Sequence, residues 1–188
     1  MRKLAILIFS LLIVLAYGQK YNQYEQKSAF SPDIGMKAIA GKAALLYISS
    51  DYGITPGFGI WADLGHLSKE IGLDAGVEYW NAGRTELEAT VRKSDIAIYA
   101  TVRYDIDIEK IRPFLGGGLG VNLYKKKYPD EWNRPDENKN KLELHMDMGA
   151  RYNIHPKIDL EARFKANFSD VSAYGLHISA LFKVGENK

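Results

Sequence analysis

The sequence predicts an all-β fold, an eight-stranded antiparallel up-and-down transmembrane β-barrel preceded by a cleavable signal peptide. Three observations point there. A short apolar run follows two basic residues at the N-terminus, eight later blocks alternate apolar and polar residues with period two, and the connections between them alternate long and short. Beyond the N-terminal run, no apolar stretch approaches the ~20 residues of a membrane helix, so a bilayer crossing has to be made by strands.

Arg2 and Lys3 form a basic n-region, Leu4 to Leu15 is apolar except for Ser10, and Ala16-Tyr17-Gly18 places small residues at the cleavage positions. The expected division is a signal peptide over 1–18, a lead segment over 19–32, the barrel over 33–184 and a tail over 185–188. Cleavage before Gln19 removes two of the 25 basic residues and none of the 23 acidic ones, leaving a formal charge of zero. With neither a basic surplus nor a basic stripe interleaved with aromatics, nucleic acid is excluded as a partner. Cysteine is absent, which excludes disulfides, thiolate metal sites and a cysteine nucleophile.

The first block, from about Asp33 to Leu46, is the least regular. Ile34, Met36, Ala38 and Ala40 alternate with Asp33, Gly35 and Lys37, but Ile39 and Lys42 break the phase, which suggests a bulge. In the second, Phe58, Ile60, Ala62 and Leu64 oppose Gly57, Gly59, Trp61 and Asp63. In the third, Ile71, Leu73, Ala75, Val77 and Tyr79 oppose Glu70, Gly72, Asp74, Gly76 and Glu78. The fourth sets Ile96, Ile98, Ala100, Val102, Tyr104 and Ile106 against Asp95, Thr101, Arg103 and Asp105, and the fifth sets Pro113, Leu115, Leu119, Val121 and Leu123 against Arg112, Gly116, Gly118, Gly120 and Asn122. Leu142 to Ala150 oppose Glu143, His145, Asp147, Gly149 and Arg151 in the sixth. Ile158 to Phe168 oppose Asp159, Glu161, Arg163, Lys165 and Asn167 in the seventh. The eighth places Leu176, Ile178, Ala180 and Phe182 against Gly175, His177, Ser179 and Lys183.

The polar face is rich in glycine, which suits the tight interior of a narrow barrel better than a solvated exterior. The apolar face is therefore expected to meet lipid. Long connections are expected near Tyr47 to Pro56, Asn81 to Ser94 and Lys125 to Lys141, and short ones at His66 to Lys69, Asp107 to Lys110 and Asn153 to Lys157; Ser169 to Ala173 occupies a long-loop place with only five residues. Phe58, Tyr79, Phe168 and Tyr174 then fall at the outer strand ends and Tyr104, Tyr152 and Phe182 at the inner ends, as two aromatic girdles.

The stretch Asp95-Ile96-Ala97-Ile98-Tyr99-Ala100-Thr101-Val102-Arg103-Tyr104, a short turn, then Arg112-Pro113-Phe114-Leu115-Gly116-Gly117-Gly118-Leu119-Gly120 resembles the fourth and fifth strands of the small outer-membrane β-barrel family related to OmpA and OmpX. The resemblance covers nearly the whole mature chain. It implies residence in a bacterial outer membrane, insertion by the barrel-assembly machinery, contact with outer-membrane lipid and lipopolysaccharide, and a structural or surface-interaction role. The chain departs from the family in ending Phe182-Lys183-Val184-Gly185-Glu186-Asn187-Lys188 rather than on an aromatic residue.

An eight-stranded barrel has an interior that side chains just fill. Asp63, Glu70, Asp74, Glu78, Arg103, Arg112, Glu143, Asp147, Arg151, Asp159, Glu161, Arg163 and Lys165 point inward by parity and read as a paired plug, not the lining of a general diffusion pore. No cofactor is implied. The glycines at 116 to 118 and 120 lack the helix start of a phosphate loop, because Val121-Asn122-Leu123-Tyr124 continues the strand. Asp105/Asp107 and Asp136/Glu137 lack the spacing of a calcium loop. His66 and His155 sit in turns without a ligand set, so no metal site is expected. The alternative activity is a lipid-modifying hydrolase using His177 and Ser179, two apart on one strand face. That segment faintly resembles outer-membrane lipid A deacylases, but parity turns the pair inward. For binding, the loop Lys125 to Lys141 offers Tyr128 and Trp132 as aromatic anchors for a surface protein or glycan, and Lys125, Lys126 and Lys127 for lipopolysaccharide phosphates.

Overall fold

The computed structural model describes residues 32–169 and 173–184; the expected signal peptide, the expected lead segment through residue 31 and the tail over 185–188 lie outside the described residues. Eight strands follow in chain order: β1 (Asp33–Ser49), β2 (Gly53–His66), β3 (Ile71–Glu86), β4 (Ala89–Asp105), β5 (Ile111–Lys127), β6 (Glu137–His155), β7 (Ile158–Asn167) and β8 (Tyr174–Lys183). Each pairs antiparallel with its neighbours in sequence, and β1 pairs with β8 from Ala38↔Lys183 to Tyr47↔Tyr174, closing the barrel. Closure leaves no edge strand, which lipid demands because an unpaired N–H or C=O has no water to bond there.

The faces follow the alternation. Ile60, Ile98, Leu119, Leu144, Phe164 and Ile178 are exposed on the outside. Asp74, Arg103, Glu143, Asp147, Glu161 and Arg163 are buried inside. β1 corrects the expected phase of Ala38 and Ala40, which point inward rather than out. The register shift between Ile34 and Ala38 is the cause. It turns Ile34 and Met36 outward before the shift and Ile39 and Leu45 outward after it, so the phase break at Ile39 and Lys42 marks a real irregularity. Lys42 is thereby carried into the interior.

The loops differ more from expectation. Residues 47–56 are not a long loop: β1 and β2 run on to a turn of only residues 50–52. Residues 81–94 continue the β3–β4 ladder to a turn at Leu87 and Glu88. The third connection shrinks to residues 128–136, with a 3-10 turn at Asp130–Trp132, because Lys125–Lys127 and Glu137–Lys141 are strand. The ladders thus project past the apolar belt. Leu87 (φ 48°) and Glu88 (φ 65°) hold a left-handed turn without glycine, and Leu87 is 85% exposed at its tip.

Ala162 lies on the exposed face of β7, opposite Ala150 and Ile178. Arginine there meets lipid near mid-strand, and Ala162→Arg is expected to lower folding stability in lipid vesicles by ~2–4 kcal/mol. An unchanged urea midpoint for that variant contradicts the facing of β7.

Candidate functional site

The interior is a lattice of side chains drawn from nearly every strand. In its inner half, Arg103 on β4 contacts Asp105 at 2.6 Å, Asp63 at 3.2 Å, and Asp74. Arg151 on β6 reaches Asp63 at 2.7 Å and Glu161 at 3.1 Å. Arg163 on β7 meets Glu161 at 2.8 Å, Asp147 at 2.9 Å and Asp74 at 2.8 Å, one carboxylate for each of its three guanidinium nitrogens. The Trp61 ring sits between Arg151 and Arg163, 5.4 and 5.0 Å from its centroid, and its Nε1 donates to Ser179 Oγ at 3.1 Å.

The outer half is built on lysine and histidine. Lys42 pairs with Glu78 and donates to the Tyr99 hydroxyl at 2.9 Å, while Lys165 pairs with Glu143 at 2.6 Å and lies 4.0 Å from the Tyr99 ring centroid. His145 stands 2.9 Å from Glu143 and 2.8 Å from Thr101 Oγ1. With its amide turned to donate, Asn122 spans Asp95 at 3.1 Å and Glu143 at 2.8 Å.

β5 supplies the space for these groups. A Cβ on Gly118 would stand 2.6 Å from His145 Nε2 and 2.0 Å from the Ala100 carbonyl, and one on Gly72 of β3 would stand 2.6 Å from the Arg103 guanidinium. Glycine is required at both because the lattice occupies the place of a side chain. Gly116 and Gly118 of the Gly-Gly-Gly run are therefore a wall against which the interior packs.

Among the residues expected to form the interior charges, Asp63, Asp74, Glu78, Arg103, Glu143, Asp147, Arg151, Asp159, Glu161, Arg163 and Lys165 are buried. Glu70 and Arg112 are not: Glu70 lies in the β2–β3 turn, and Arg112 is exposed at the inner rim, 3.7 Å from Asp107. Both sit at strand ends, where parity no longer dictates enclosure. Lys42, Asp95 and His145 belong to the buried set, and for Lys42 the clue was its break of the apolar phase. His177 and Ser179 are brought into the interior but not to each other. Ser179 accepts from Trp61, His177 Nδ1 faces Glu78 at 3.3 Å, and both side chains are sealed from either medium.

At the outer rim, Tyr128 is 4% exposed, so it is the core of its loop and not a free anchor. Its ring is flanked by Arg134 at 4.0 Å and Lys126 at 4.6 Å, with Trp132 at 6.4 Å, and its hydroxyl donates to Glu137 at 2.6 Å. That hydrogen bond, followed by one from Lys139, holds the Glu137 carboxyl down to about 2 from its ordinary 4.5. Trp132 is half-buried, and Lys125 and Lys127 are exposed.

With this geometry, the match to known proteins has a structural meaning. The model of the outer membrane protein beta-barrel domain matches residues 8–182. The chain belongs to that family. Solved structures agree in fold. Ail, the attachment invasion locus protein of Yersinia pestis, crystallised in complex with the heparin analogue sucrose octasulfate, superposes with a TM-score of 0.57 at 16% identity over 80% of this chain and 99% of that one. Neisserial surface protein A gives 0.53 at 21% identity over 78% and 96%. The N-terminal barrel of Pseudomonas aeruginosa OprF gives 0.51 at 10% identity over 79% and 98%. No curated protein matches the sequence. The chain is thus a bacterial outer-membrane β-barrel protein.

Asp74 serves both Arg103 and Arg163, so its removal takes one of three carboxylates from each of two buried cations. Asp74→Ala is expected to cost ~3–5 kcal/mol in vesicle folding titrations, whereas Glu70→Ala on the exposed turn stays within about 0.5 kcal/mol of wild type. Equal effects of the two contradict the lattice. For the outer loop, the Glu137 pKa is depressed, so its stabilisation is complete above the ordinary 4.5 and fades as pH falls through about 2. Carboxyl carbon shifts should titrate near 2; a midpoint near 4.5 means the Tyr128–Glu137 contact is absent in solution.

Proposed function

We propose that this barrel is plugged by its own ion-paired side chains and serves as a structural and surface-interaction element of the outer membrane, not as a general diffusion pore. The observation that carries the reading is the pairing of Arg103 and Arg163, each tied to three carboxylates from different parts of the wall. A through-passage would have to break these contacts, and each buried charge left alone costs several kcal/mol. The cavity bounded by Glu78, Asp95, Lys165 and His177 holds only about 10 Å³, room for about one water.

The interaction surface is then the set of hairpins projecting beyond the outer girdle, with Leu87 at one tip and Trp132, Lys125 and Lys127 about the other. A strained turn that displays an apolar side chain is the kind of local departure functional surfaces retain. Its ligand would be a surface protein or an anionic glycan. The hydrolase alternative is not favoured, since His177 and Ser179 share no hydrogen bond among the described residues and neither reaches lipid.

Planar-bilayer recordings test the plug. Wild type, and a variant in which residues 129–136 are replaced by Asn-Gly, should both show no sustained ion current. Conduction by the variant alone places closure in the outer loop, and conduction by wild type removes the plug reading altogether.

A further inference from the structure

Outside the lumen, the outer ends of β4 and β5 carry a feature the closed barrel does not need. Arg92 lies directly opposite Lys127, with Lys93 opposite Lys126 and Ser94 opposite Lys125. Like charges facing each other across a ladder destabilise it. Lys125 is eased by Asp136 at 4.0 Å, and Lys93 and Lys126 turn inward over the rings of Tyr52 and Tyr128 at 4.2 and 4.6 Å. Arg92 and Lys127 are both exposed on the outward face, and among the described residues neither has an ion-pair partner.

The two cations line a cavity of about 260 Å³ together with Thr90, Tyr128, Pro129, Asp130 and Glu131. Register fixes its height. The apolar belt ends on the exposed pair Ile96↔Leu123, and Arg92↔Lys127 lies four pairs further out, on the same face. At ~3.4 Å per residue and a tilt of ~35–45°, that is about 10 Å above the belt, within reach of long side chains that bend toward the headgroups. Asp130 and Glu131, which follow Lys127 along the chain, line the same cavity and are exposed. Their carboxylates repel a dianion diffusing in from solvent, whereas one carried on a lipid comes from the side of the belt, along the strands that bear the two cations.

We propose that Arg92 and Lys127 form a clamp for a phosphate group of an outer-leaflet glycolipid, the lipid A class, seated beneath the loop at residues 128–136. Arginine offers two parallel N–H donors to one phosphate and lysine a point charge on its other side, which relieves the like-charge ladder. The inference rests on the surface role proposed above and not on the closed lumen.

The test uses the full barrel in phosphatidylcholine nanodiscs doped in both leaflets with lipid A, so which end faces outward in the cell does not enter. Native mass spectrometry should show bisphosphorylated lipid A retained about tenfold more tightly than its dephosphorylated form. In R92Q/K127Q that preference should disappear, while K69Q/K157Q, altered at the opposite rim, should keep it. A shift in gel mobility on boiling, expected of a closed barrel that resists detergent until heated, reports that each variant is folded. If a variant fails to fold, the wild-type comparison of the two lipids still decides. Equal retention of both lipids, an undiminished preference in R92Q/K127Q, or complete displacement by millimolar inorganic phosphate or by a soluble sulfated oligosaccharide would each overturn the clamp, the last two by assigning the cations to a free anion or a surface glycan.

Discussion

Arg163 brings together Glu161, Asp147 and Asp74, carboxylates contributed by β7, β6 and β3, and Arg103 performs the same service for Asp63, Asp74 and Asp105. Asp74 is common to both. In a barrel of eight strands the wall is so tightly curved that inward side chains must touch, and in lipid they have no other medium to turn to. Removing one partner from such a set costs far more than the pairing itself contributes, so the sequence is constrained as a group and not residue by residue. This mutual dependence ties the strands together across the lumen as the ladder ties them around the wall.

The backbone is shaped to admit the lattice. β5 presents glycine at 116, 118 and 120 where Asp147, His145 and Tyr99 press inward, so the bulk carried by the flanking strands β6 and β4 is matched by its absence on β5. The shift at the start of β1 serves the same end by turning Lys42 inward, where it reaches across Gly59 of β2 to Glu78 of β3. Where chemistry inside the wall is crowded, the rim is freer: the hairpins beyond the belt are held by cross-strand and cation–π contacts, with Tyr128 caged between Arg134 and Lys126.

Strand number and the residues of β2 to β8 that share a face were legible from period two, and the glycine-rich polar face showed which of the two turns inward, because one face of each strand meets lipid and the contrast between faces is complete. β1 was misread at Ala38 and Ala40, since alanine is neutral between the faces and a bulge leaves no residue type of its own. Loop lengths were overestimated for a related reason. Beyond the belt the outward face of a hairpin meets water and not lipid, so residues 81–94 lose the apolar side of the alternation while keeping the ladder, with Ala82 and Val91 still buried within. Tyr128 read as an exposed anchor because nothing local to an aromatic in a polar loop shows that the loop folds around it. Glu70 and Arg112 failed at strand ends, where parity continues on paper after the wall has stopped. The cross-strand pair Arg92 and Lys127 was invisible in sequence, as it depends on register between β4 and β5.

Membership of the outer-membrane β-barrel family gives the location, and the lattice gives the individual character of this chain. Its most direct measurement is proton exchange at the guanidinium groups, followed by nitrogen-15 NMR of the folded barrel in nanodiscs. Buried forks held by three carboxylates should show separate, slowly exchanging Nη signals for Arg103 and Arg163, with Arg92 and Arg112 averaging rapidly as solvated side chains do. Rapid exchange and free rotation at Arg103 and Arg163 would contradict the account, because it would mean water and not carboxylate fills the interior.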